Sequence, residues 1–439
     1  MKVLMTPNSR PADTRLRALF LHVALCSTLV ACDCDGGESG TDGGGRLVEG
    51  ATPADATRSD ASGVIPIPGE GECAWEPGER PTAELPPEHT NEYVIELERG
   101  MIDNDSGDPV ETRDRMNEAI VWATDNGFDK IVVPPGTYHL GEPTNDIYAG
   151  GIELVGDMTF ELSDGAVIQM ATNDRHNYCV ISVQSNDNIT IRGGEIRGDR
   201  ETHVFAGGTA HDEGHGVCVW TSANHILIED VEMHELTGDG VLIVGSRGGD
   251  EEPSIPSTHI TIRNNQIHHN RRQGVSVVGG HNVVIANNHI HHIEGTSPQF
   301  GIDIEGAGRT DRDIHIFQNN FHHNAGGDIV TSTGRNVWIE ENTMTQCQVN
   351  EAGAYDPALP CDLERHVDGP LLLRTDTDNA LLNPSIRISS GTPNARSTIP
   401  VCPGHYRRAR VNPIDRDSHA SARFYHGHHT DRTEIHTPS

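Results

Sequence analysis

The sequence predicts an all-β fold, a single-stranded parallel β-helix in which short strands wind into a solenoid behind an N-terminal capping helix. Three observations support this prediction: a repeat of roughly twenty residues or slightly more, alternating apolar positions within each repeat, and a column of asparagines at one repeat position. A helical repeat would need apolar positions at a period of about 3.6 residues, and the repeats do not follow that period.

The apolar positions of successive repeats form three columns, which we assign to three strands per turn facing one interior. The first column contains Val180, Val217, Val241, Val275, Ile302 and Ile329. The second contains Ile191, Ile228, Ile262, Ile285, Ile316 and Ile339, and the third contains Ile196, Met233, Ile267, Ile290, Phe321 and Met344. Because paired strands lie about 4.8 Å apart, equivalent residues of neighbouring turns should touch.

The asparagine column lies between the second and third strands, at Asn265, Asn288, Asn319 and Asn342. Asparagine tolerates a left-handed backbone, and its amide can bond the amide of the next turn. The column therefore suits a tight bend that recurs in every turn.

The segment before the repeats predicts a cap. Residues 112–124 have the pattern of an amphipathic helix, and the run KIVVPPGTYHL from Lys130 predicts the first strand. Together with the asparagine ladder, this segment resembles the pectate lyase superfamily from Ile95 to Asp368. The resemblance implies a right-handed β-helix whose open end is covered by the cap, and it leaves the reaction open because the fold hosts lyases, hydrolases, epimerases and adhesins.

The N-terminus predicts export. A basic start precedes an apolar stretch from Ala18 to Ala31 that is too short to span a membrane as a helix. The motif Leu29-Val30-Ala31-Cys32 resembles the bacterial lipobox, which implies cleavage before Cys32 and lipidation of its thiol. The alternative is an ordinary signal peptide with a chance cysteine.

Five segments follow from these patterns. We predict a lipoprotein signal peptide at 1–31, a flexible acidic and glycine-rich tether at 32–87, a cap at 88–141, the parallel β-helix at 142–375 and an irregular tail at 376–439. Seven cysteines follow Cys32, so an exported chain could form one or two disulfides, and Cys347 with Cys361 is the pair we suggest.

Composition excludes a nucleic-acid partner. The formal net charge is −33, and Lys2 and Lys130 are the chain's two lysines. Nucleic-acid binding needs clustered cations that displace counterions from phosphates. We expect a polysaccharide partner, contact with the membrane through the lipid anchor, and a location in the bacterial cell envelope, at the outer membrane or the cell surface.

The resemblance implies a sugar groove along the outward face of the first strand column and its bordering loops. The longest loop, from Asp199 to His215, is dense in titratable groups, among them Arg200 and His203. We predict substrate binding by the following residues: Asp199, Arg200, His203, Trp220, Arg271 and Arg272. A merely polar loop, a solvated arginine pair and a tryptophan packed beneath the tail are the alternatives.

Acid–base chemistry has four candidate residues. His215 and Asp239 should occupy equivalent positions on adjacent turns, and Asp303 and Glu305 lie two apart on one strand. Glycosidases that invert need carboxyls roughly 6.5–9.5 Å apart, and two residues of a strand span about 7 Å. We expect no cofactor, with calcium held by Asp303 and Glu305 as the alternative.

A lyase would need a base and a group that neutralises a uronate. Lys130 lies in the cap, so His215 or the pair Arg271 and Arg272 would have to serve. We therefore favour a hydrolase over a lyase or an epimerase, and a non-catalytic glycan binder is the second hypothesis.

Histidines also recur from turn to turn, at positions His234, His268, His291 and His322, followed by His269, His292 and His323. Stacked imidazoles can bind zinc or nickel. Repeats also reproduce residue types for structural reasons, and no carboxylate or cysteine recurs with them. We interpret the column as a structural ladder and assign no metal site.

Overall fold

The computed structural model describes residues 79–95, 108–141, 151–207, 211–246, 254–306, 311–331 and 334–345, with the backbone of six short strands between 371 and 436. The N-terminal elements are β1 (Glu92–Val94), α1 (Pro109–Asp125), β2 (Lys130–Val133), β3 (Gly136–Leu140), β4 (Ile152–Leu154), β5 (Met158–Leu162) and β6 (Ala166–Met170). No helix among the described residues is long and apolar enough to cross a membrane.

The central turns contain the strands that carry the repeats. They are β7 (Asn177–Gln184), β8 (Asp187–Arg192), β9 (Glu195–Arg197), β10 (Glu213–Trp220), β11 (Asn224–Glu229), β12 (Glu232–His234), β13 (Asp239–Val244), β14 (Ser257–Arg263), β15 (Gln266–His268), β16 (Gln273–Val278), β17 (Gly280–Ala286) and β18 (His289–His291). The next turns contain β19 (Phe300–Ile304), β20 (Arg312–Phe317), β21 (Asn320–His322), β22 (Gly327–Thr331), β23 (Arg335–Glu340) and β24 (Thr343–Thr345).

Each turn contributes one strand to each of three parallel sheets. The first sheet contains β4, β7, β10, β13, β16, β19 and β22; the second contains β2, β5, β8, β11, β14, β17, β20 and β23; the third contains β3, β6, β9, β12, β15, β18, β21 and β24. The prediction of an all-β parallel β-helix is confirmed.

The register confirms the second and third apolar columns along their whole length. The first column needs one correction, because Val217 pairs with Ile181 rather than with Val180. Both residues are fully buried, so hydrophobicity alone could not separate them. The side chains of the three columns fill the interior as one continuous core.

The asparagine ladder forms as expected, with one difference. The Asn265 amide donates to Asn288 Oδ1, Asn288 to Asn319 and Asn319 to Asn342, each at 3.0 Å. The left-handed backbone, however, falls on the preceding residue of each turn, for example Asn287 at φ 61°. The ladder residues act through amide hydrogen bonds and not through backbone freedom.

The capping helix is longer than the one predicted at 112–124. Helix α1 begins at Pro109 because the side chain of Asp108 accepts hydrogen bonds from the backbone of Val110 and Glu111, and proline suits the first turn. Its buried face, including Met116 and Ile120, joins the core at the end of the solenoid.

The other predicted segments are described in part. Arg80 pairs with Glu340 at 3.2 Å and Pro81 accepts a hydrogen bond from His315, so contacts with the solenoid begin inside the predicted tether. Beyond 345, backbone strands are β25 (Leu371–Arg374), β26 (Ile386–Ser389), β27 (Thr398–Val401), β28 (Arg408–Val411), β29 (Ser421–Tyr425) and β30 (Arg432–His436). The segment boundaries stay predictions, and Cys32 and the pair Cys347 and Cys361 lie outside the described residues.

A disulfide joins Cys179 to Cys218 on neighbouring strands of the first sheet, with Cα atoms 5.9 Å apart. We predicted a different pair from the sequence, because Cys179 and Cys218 are 39 positions apart along the chain and only the strand register brings them together.

Candidate active site

The outward face of the first sheet brings together most of the residues predicted to be catalytic. His215 and Asp239 lie side by side at the starts of β10 and β13, where the Asp239 backbone N–H donates to His215 Nδ1 at 3.0 Å. Asp303 lies on β19, and Glu305 follows directly after that strand and continues its ladder by a hydrogen bond to Val277.

Asp239 is fully buried, and its carboxylate has two donors on one oxygen. Arg272 donates to Oδ2 at 3.0 Å and Ser276 at 2.9 Å, whereas Oδ1 has no hydrogen-bond partner among the described residues. Burial raises the pKa of Asp239, although Arg272 and Ser276 favour the charged form. A Cβ on the next residue, Gly240, would lie 2.5 Å from the side chain of Ile267, so glycine permits this close packing.

Arg272 links the two acidic parts of the site. Its guanidinium is 3.0 Å from Asp239 and 3.5 Å from Glu305. Although burial disfavours its charge, Asp239 and then Glu305 raise the pKa of Arg272 above its already high ordinary value. The arginine is thus a permanent cation between the two carboxylates.

Asp303 and Glu305 have contrasting environments. Asp303 is buried and accepts a hydrogen bond from Gln273 Nε2 at 2.6 Å, whereas 38% of the Glu305 side chain is exposed. Burial and the neighbouring charge of Glu305 raise the pKa of Asp303 well above its ordinary value. The pair therefore combines a buried carboxyl that holds its proton more tightly than usual with a solvent-facing carboxyl, the difference that acid–base catalysis requires.

His215 is neutral in this setting. Burial, followed by the charge of Arg272, lowers the pKa of His215 to about 3. Its Nδ1 accepts the backbone hydrogen bond from Asp239, so the proton of the neutral ring lies on Nε2. The 3.5 Å approach of this ring to the Asp239 carboxylate is accordingly not an ion pair.

A second cluster surrounds Asp199 at the base of the long loop. Asp199 accepts hydrogen bonds from Tyr178 at 2.6 Å and from Asn173, and lies 2.8 Å from His203 Nδ1. His203 Nε2 is 2.9 Å from His211 Nδ1, and His211 Nε2 is 2.6 Å from a backbone carbonyl.

The two histidines extend the network from the carboxylate of Asp199, because one contact joins their rings and another joins His211 to the backbone carbonyl of Ala206 in the long loop. Because the side chains of Asp199 and His203 are fully buried, this network holds the loop in place.

The other predicted binding residues lie around the site. Arg200 donates to the carbonyl of His269, and Arg271 donates to the carbonyl of His211 and lies 4.7 Å from the ring of the exposed Phe205. Trp220 is 5% exposed and packs with the disulfide and other apolar residues of the first sheet, namely Leu242, Val244 and Val278. Their roles toward a substrate stay predictions.

Sequence reasoning missed the supporting residues. Gln273, which holds Asp303 and also accepts the backbone N–H of Phe300, is an ordinary polar residue in the repeat. Tyr178 is the aromatic residue before the apolar run of β7, and its position in the sequence predicts an ordinary core residue. A usable signal was the strand register, which pairs Asp239 with Gln273 and so places both on the same outward column.

The comparisons with known proteins agree with this architecture. Residues 145–311 match the family model described as a right handed beta helix region. This match and the three parallel sheets together confirm the predicted parallel β-helix fold.

Two curated relatives come from Bacillus subtilis (strain 168). The uncharacterized protein YclG is 30% identical over 250 residues, covering 53% of this chain and 42% of YclG. The SPbeta prophage-derived uncharacterized protein YorA is 28% identical over 270 residues, covering 57% of this chain and 46% of YorA. The chain spans less than half the length of either relative.

Solved structures with a similar fold include proteins that differ in reaction. The mannuronan C-5 epimerase AlgE4 A-module of Azotobacter vinelandii gives a TM-score of 0.40 at 16% identity, covering 68% of this chain and 88% of that module. The family 28 exopolygalacturonase of Yersinia enterocolitica gives a TM-score of 0.39 at 15% identity, covering 58% of this chain and 53% of that chain. An alginate lyase from Paenibacillus gives a TM-score of 0.35 at 15% identity, covering 52% of this chain and 84% of that chain. These likenesses concern the fold alone.

Proposed function

We propose that this chain is a carbohydrate-active protein that hydrolyses a glycosidic bond of a polysaccharide at the face formed by Asp303, Glu305 and Arg272. The observation that carries the proposal is the contrast between the two carboxyls. Asp303 is buried with a raised pKa, and Glu305 faces solvent two residues away beside a fixed cation.

In this mechanism Asp303 is the general acid and donates its proton to the leaving glycosidic oxygen. Glu305 is the general base and removes a proton from the attacking water. Their backbone spacing of about 7 Å leaves room for that water and favours inversion at the anomeric carbon. Arg272 positions Glu305, and Asp239 in turn holds Arg272.

His215 and the long loop have supporting roles in this proposal. In this proposal His215 donates a hydrogen bond from Nε2 to the substrate, since its Nδ1 already accepts the backbone N–H of Asp239. Arg200 and Arg271 border the face. The Asp199–His203 network positions the long loop, which carries Arg200 and whose residue His211 accepts a hydrogen bond from Arg271. Trp220 packs against Leu242 and Val244 on the outward face of the first sheet and has a packing role in this proposal.

The proposal is tested by the products formed from a panel of neutral and acidic polysaccharides. Hydrolysis releases new reducing ends without absorbance in the ultraviolet. Unsaturated, ultraviolet-absorbing products would replace the hydrolase by a lyase, and a changed sugar composition without cleavage would replace it by an epimerase. Lack of any change across the panel would contradict the enzymatic proposal.

A non-catalytic glycan binder is the second candidate. It is favoured by the deep burial of Asp239 and Asp303, which are 0% and 4% exposed. Binding on a glycan array that persists after Asp303 and Glu305 are both replaced by their amides would support the binder over the hydrolase.

We propose that catalysis needs no cofactor. The raised pKa of Asp303 makes it a poorer calcium ligand, and the guanidinium of Arg272 already lies 3.5 Å from the Glu305 carboxylate. Activity should therefore survive dialysis against a chelator, and its recovery only on adding Ca²⁺ would contradict this.

We also propose that the protein is exported and anchored to the cell envelope through a lipid on Cys32. The disulfide between Cys179 and Cys218 supports an oxidising compartment. Fractionation of cells expressing Cys32→Ser should find the protein outside the membrane fraction, whereas continued membrane association would contradict the anchor.

A further inference from the structure

The outer face of the third sheet carries seven histidines that lie against one another. This histidine array consists of His268, His269, His289, His291, His292, His322 and His323. Rings at equivalent positions of successive turns are stacked, with centroids 4.8 Å apart for His268 and His291 and 4.6 Å apart for His291 and His322.

The local fold produces this arrangement. From β9 onward each strand of the third sheet has three residues, and its last residue points outward in register with the neighbouring turns, as His291 does with His268 and His322. The following residue is left-handed, with φ 54° at His292 and 57° at His323, so its ring turns back toward the strand. Two stacked columns therefore stand side by side.

Ring nitrogens of the two columns come within hydrogen-bond distance. The Nδ1 atoms of His291 and His292 are 2.7 Å apart, and those of His322 and His323 are 2.6 Å apart. His289 adds a third direction, because its Nε2 lies 2.7 Å from Nε2 of His322.

His289 distinguishes these turns from the turns before them. The expectation that no carboxylate recurs with this column was wrong for the earlier turns. There the histidine bonds a carboxylate one turn back, as His234 does with Glu195 at 2.8 Å and His268 with Glu232 at 3.0 Å. For His322 the residue at the same place is His289. An imidazole thus replaces the anion that fixes the earlier rings, and a purely structural ladder gives no reason for that change.

We propose that the histidine array binds one divalent transition-metal ion of the Zn²⁺ class through three imidazoles. Three triads have one nitrogen of each ring within 4.8 Å of the others: His269, His291 and His292; His289, His291 and His322; and His292, His322 and His323. Imidazole nitrogen is a preferred ligand of Zn²⁺, Ni²⁺ and Cu²⁺.

The spacing suits a tetrahedral ion. Bonds of 2.0–2.1 Å from zinc to nitrogen place ligand nitrogens roughly 3.3 Å apart. The shortest pairs in the array are 2.6–2.7 Å apart and the triads span up to 4.8 Å, so small side-chain rotations bring three nitrogens to the required separation. Water would complete the coordination, because three protein ligands leave one position open.

The sharing of ligands sets the number of ions. Any two of the three triads have one histidine in common: His291, His292 or His322. A neutral imidazole binds through one nitrogen, since the other carries its proton. One ion can therefore have a complete set of three ligands at a time, and the array should bind a single ion strongly.

The test compares zinc binding by the full chain, prepared with a cleavable tag that contains no histidine and stripped with a chelator. The double variant His291→Gln/His322→Gln leaves every triad incomplete. The matched control is His234→Gln, which changes the same column outside the triads. Calorimetric titration with ZnCl₂ should show one ion fewer for the double variant than for the wild type and for the control.

Single variants then identify the triad, because each triad has one member of its own. His269→Gln, His289→Gln and His323→Gln each dismantle a different triad, and loss of the ligand in use should weaken zinc affinity by at least about tenfold. These outward positions accept other residue types, since Thr345 occupies the same column as His322 in the next turn.

Other histidines of the chain do not confuse the comparison. The cluster of Glu84, His225 and His259 and the sequence His426, His428 and His429 near the end of the chain are unchanged in every variant. If the double variant, folded by circular dichroism, binds as many zinc ions as tightly as the wild type, the proposal is overturned.

Discussion

The outer faces of the first and third sheets differ in how their residues change from turn to turn. Along one outward column of the first sheet the residues are all different: Cys218, Leu242, Ser276, Asp303 and Val330. Along the outward column of the third sheet one residue type recurs: His234, His268, His291 and His322.

This difference separates what the fold explains from what it does not. A repeated side chain stacks on its own copy, so recurrence follows from the solenoid alone, as the asparagine ladder illustrates. A residue that matches neither neighbour in its column gains nothing from that stacking. Asp303, between Ser276 and Val330 on the first sheet, and His289, between Gln266 and Asn320 on the third sheet, are such residues, and both lie where the structure brings polar groups together.

The largest expected effect comes from replacing Asp303. Asp303→Asn keeps the shape and the hydrogen bond to Gln273 but removes the acidic proton, so the hydrolytic rate should fall by about 10²–10⁴-fold. The rate of reducing-end release on the polysaccharide found active in the panel measures this.

Asp187→Asn, an exposed aspartate on β8, is the matched control and should keep the wild-type rate. Since Asp303 is buried with a raised pKa, its amide should fold at least as stably as the wild type. A folded Asp303→Asn protein with nearly normal activity would mean that Asp303 is not the general acid.

The sequence was sufficient for the parts of the fold that repeat. The isoleucine columns are aligned by their period alone, because each turn must bury the same positions against its neighbours. The misassigned start of the first column shows the limit. Val180 and Ile181 are adjacent, both apolar and both buried, so only the backbone pairing distinguishes them.

The site was predictable as a set of residues but not as a network. Asp239 and His215 follow from equivalent repeat positions, and their contact was expected. The bridge from Arg272 to Asp239 and Glu305 depends on the path of a loop between two turns, which the repeat does not encode. The pairing of Cys179 with Cys218 likewise needed the register of β7 and β10.

The second prediction compares an inward ladder with an outward one. The buried side chain of Asn288 makes four hydrogen bonds with described residues of the turns on either side, to Asn265, Asn319 and Ile262. Asn288→Ala leaves those groups without partners and should lower the free energy of unfolding by on the order of 4 kcal/mol.

His291→Gln is the companion variant, because the ring stands on the outer face and its loss leaves the core intact. It should change the free energy of unfolding by less than about 1 kcal/mol. Urea unfolding followed by circular dichroism measures both variants. Equal losses would show that recurrence on the outer face stabilises the solenoid as much as recurrence inside it.

The third prediction concerns a carboxyl that interrupts an inward column of glycines. Asp328 lies in the turn after Gly301, in the column of Gly240 and Gly274. It is buried, and among the described residues its carboxyl accepts a hydrogen bond from Asn324 at 3.0 Å. Burial raises the pKa of Asp328 to about 7 from an ordinary value of 3.8.

The sign of the pH effect follows from that direction. Because the folded state holds the proton more tightly than the unfolded chain, this carboxyl favours folding fully below about pH 4, and the contribution is lost as the pH rises to about 7. Asp328→Asn cannot lose a proton, so its Tm should exceed that of the wild type by a few degrees at pH 8 and should match it more closely at pH 4.

Asp313→Asn, which changes a partly exposed aspartate on β20, controls for the loss of one negative charge and should leave the pH dependence of Tm unchanged. Asp328 lies outside the proposed acid–base pair, so its variant should also retain activity. Wild-type pH dependence in Asp328→Asn would show that the carboxyl is already charged in the folded protein. Loss of activity in Asp328→Asn would instead indicate that Asp328, like Asp303, takes part in the reaction.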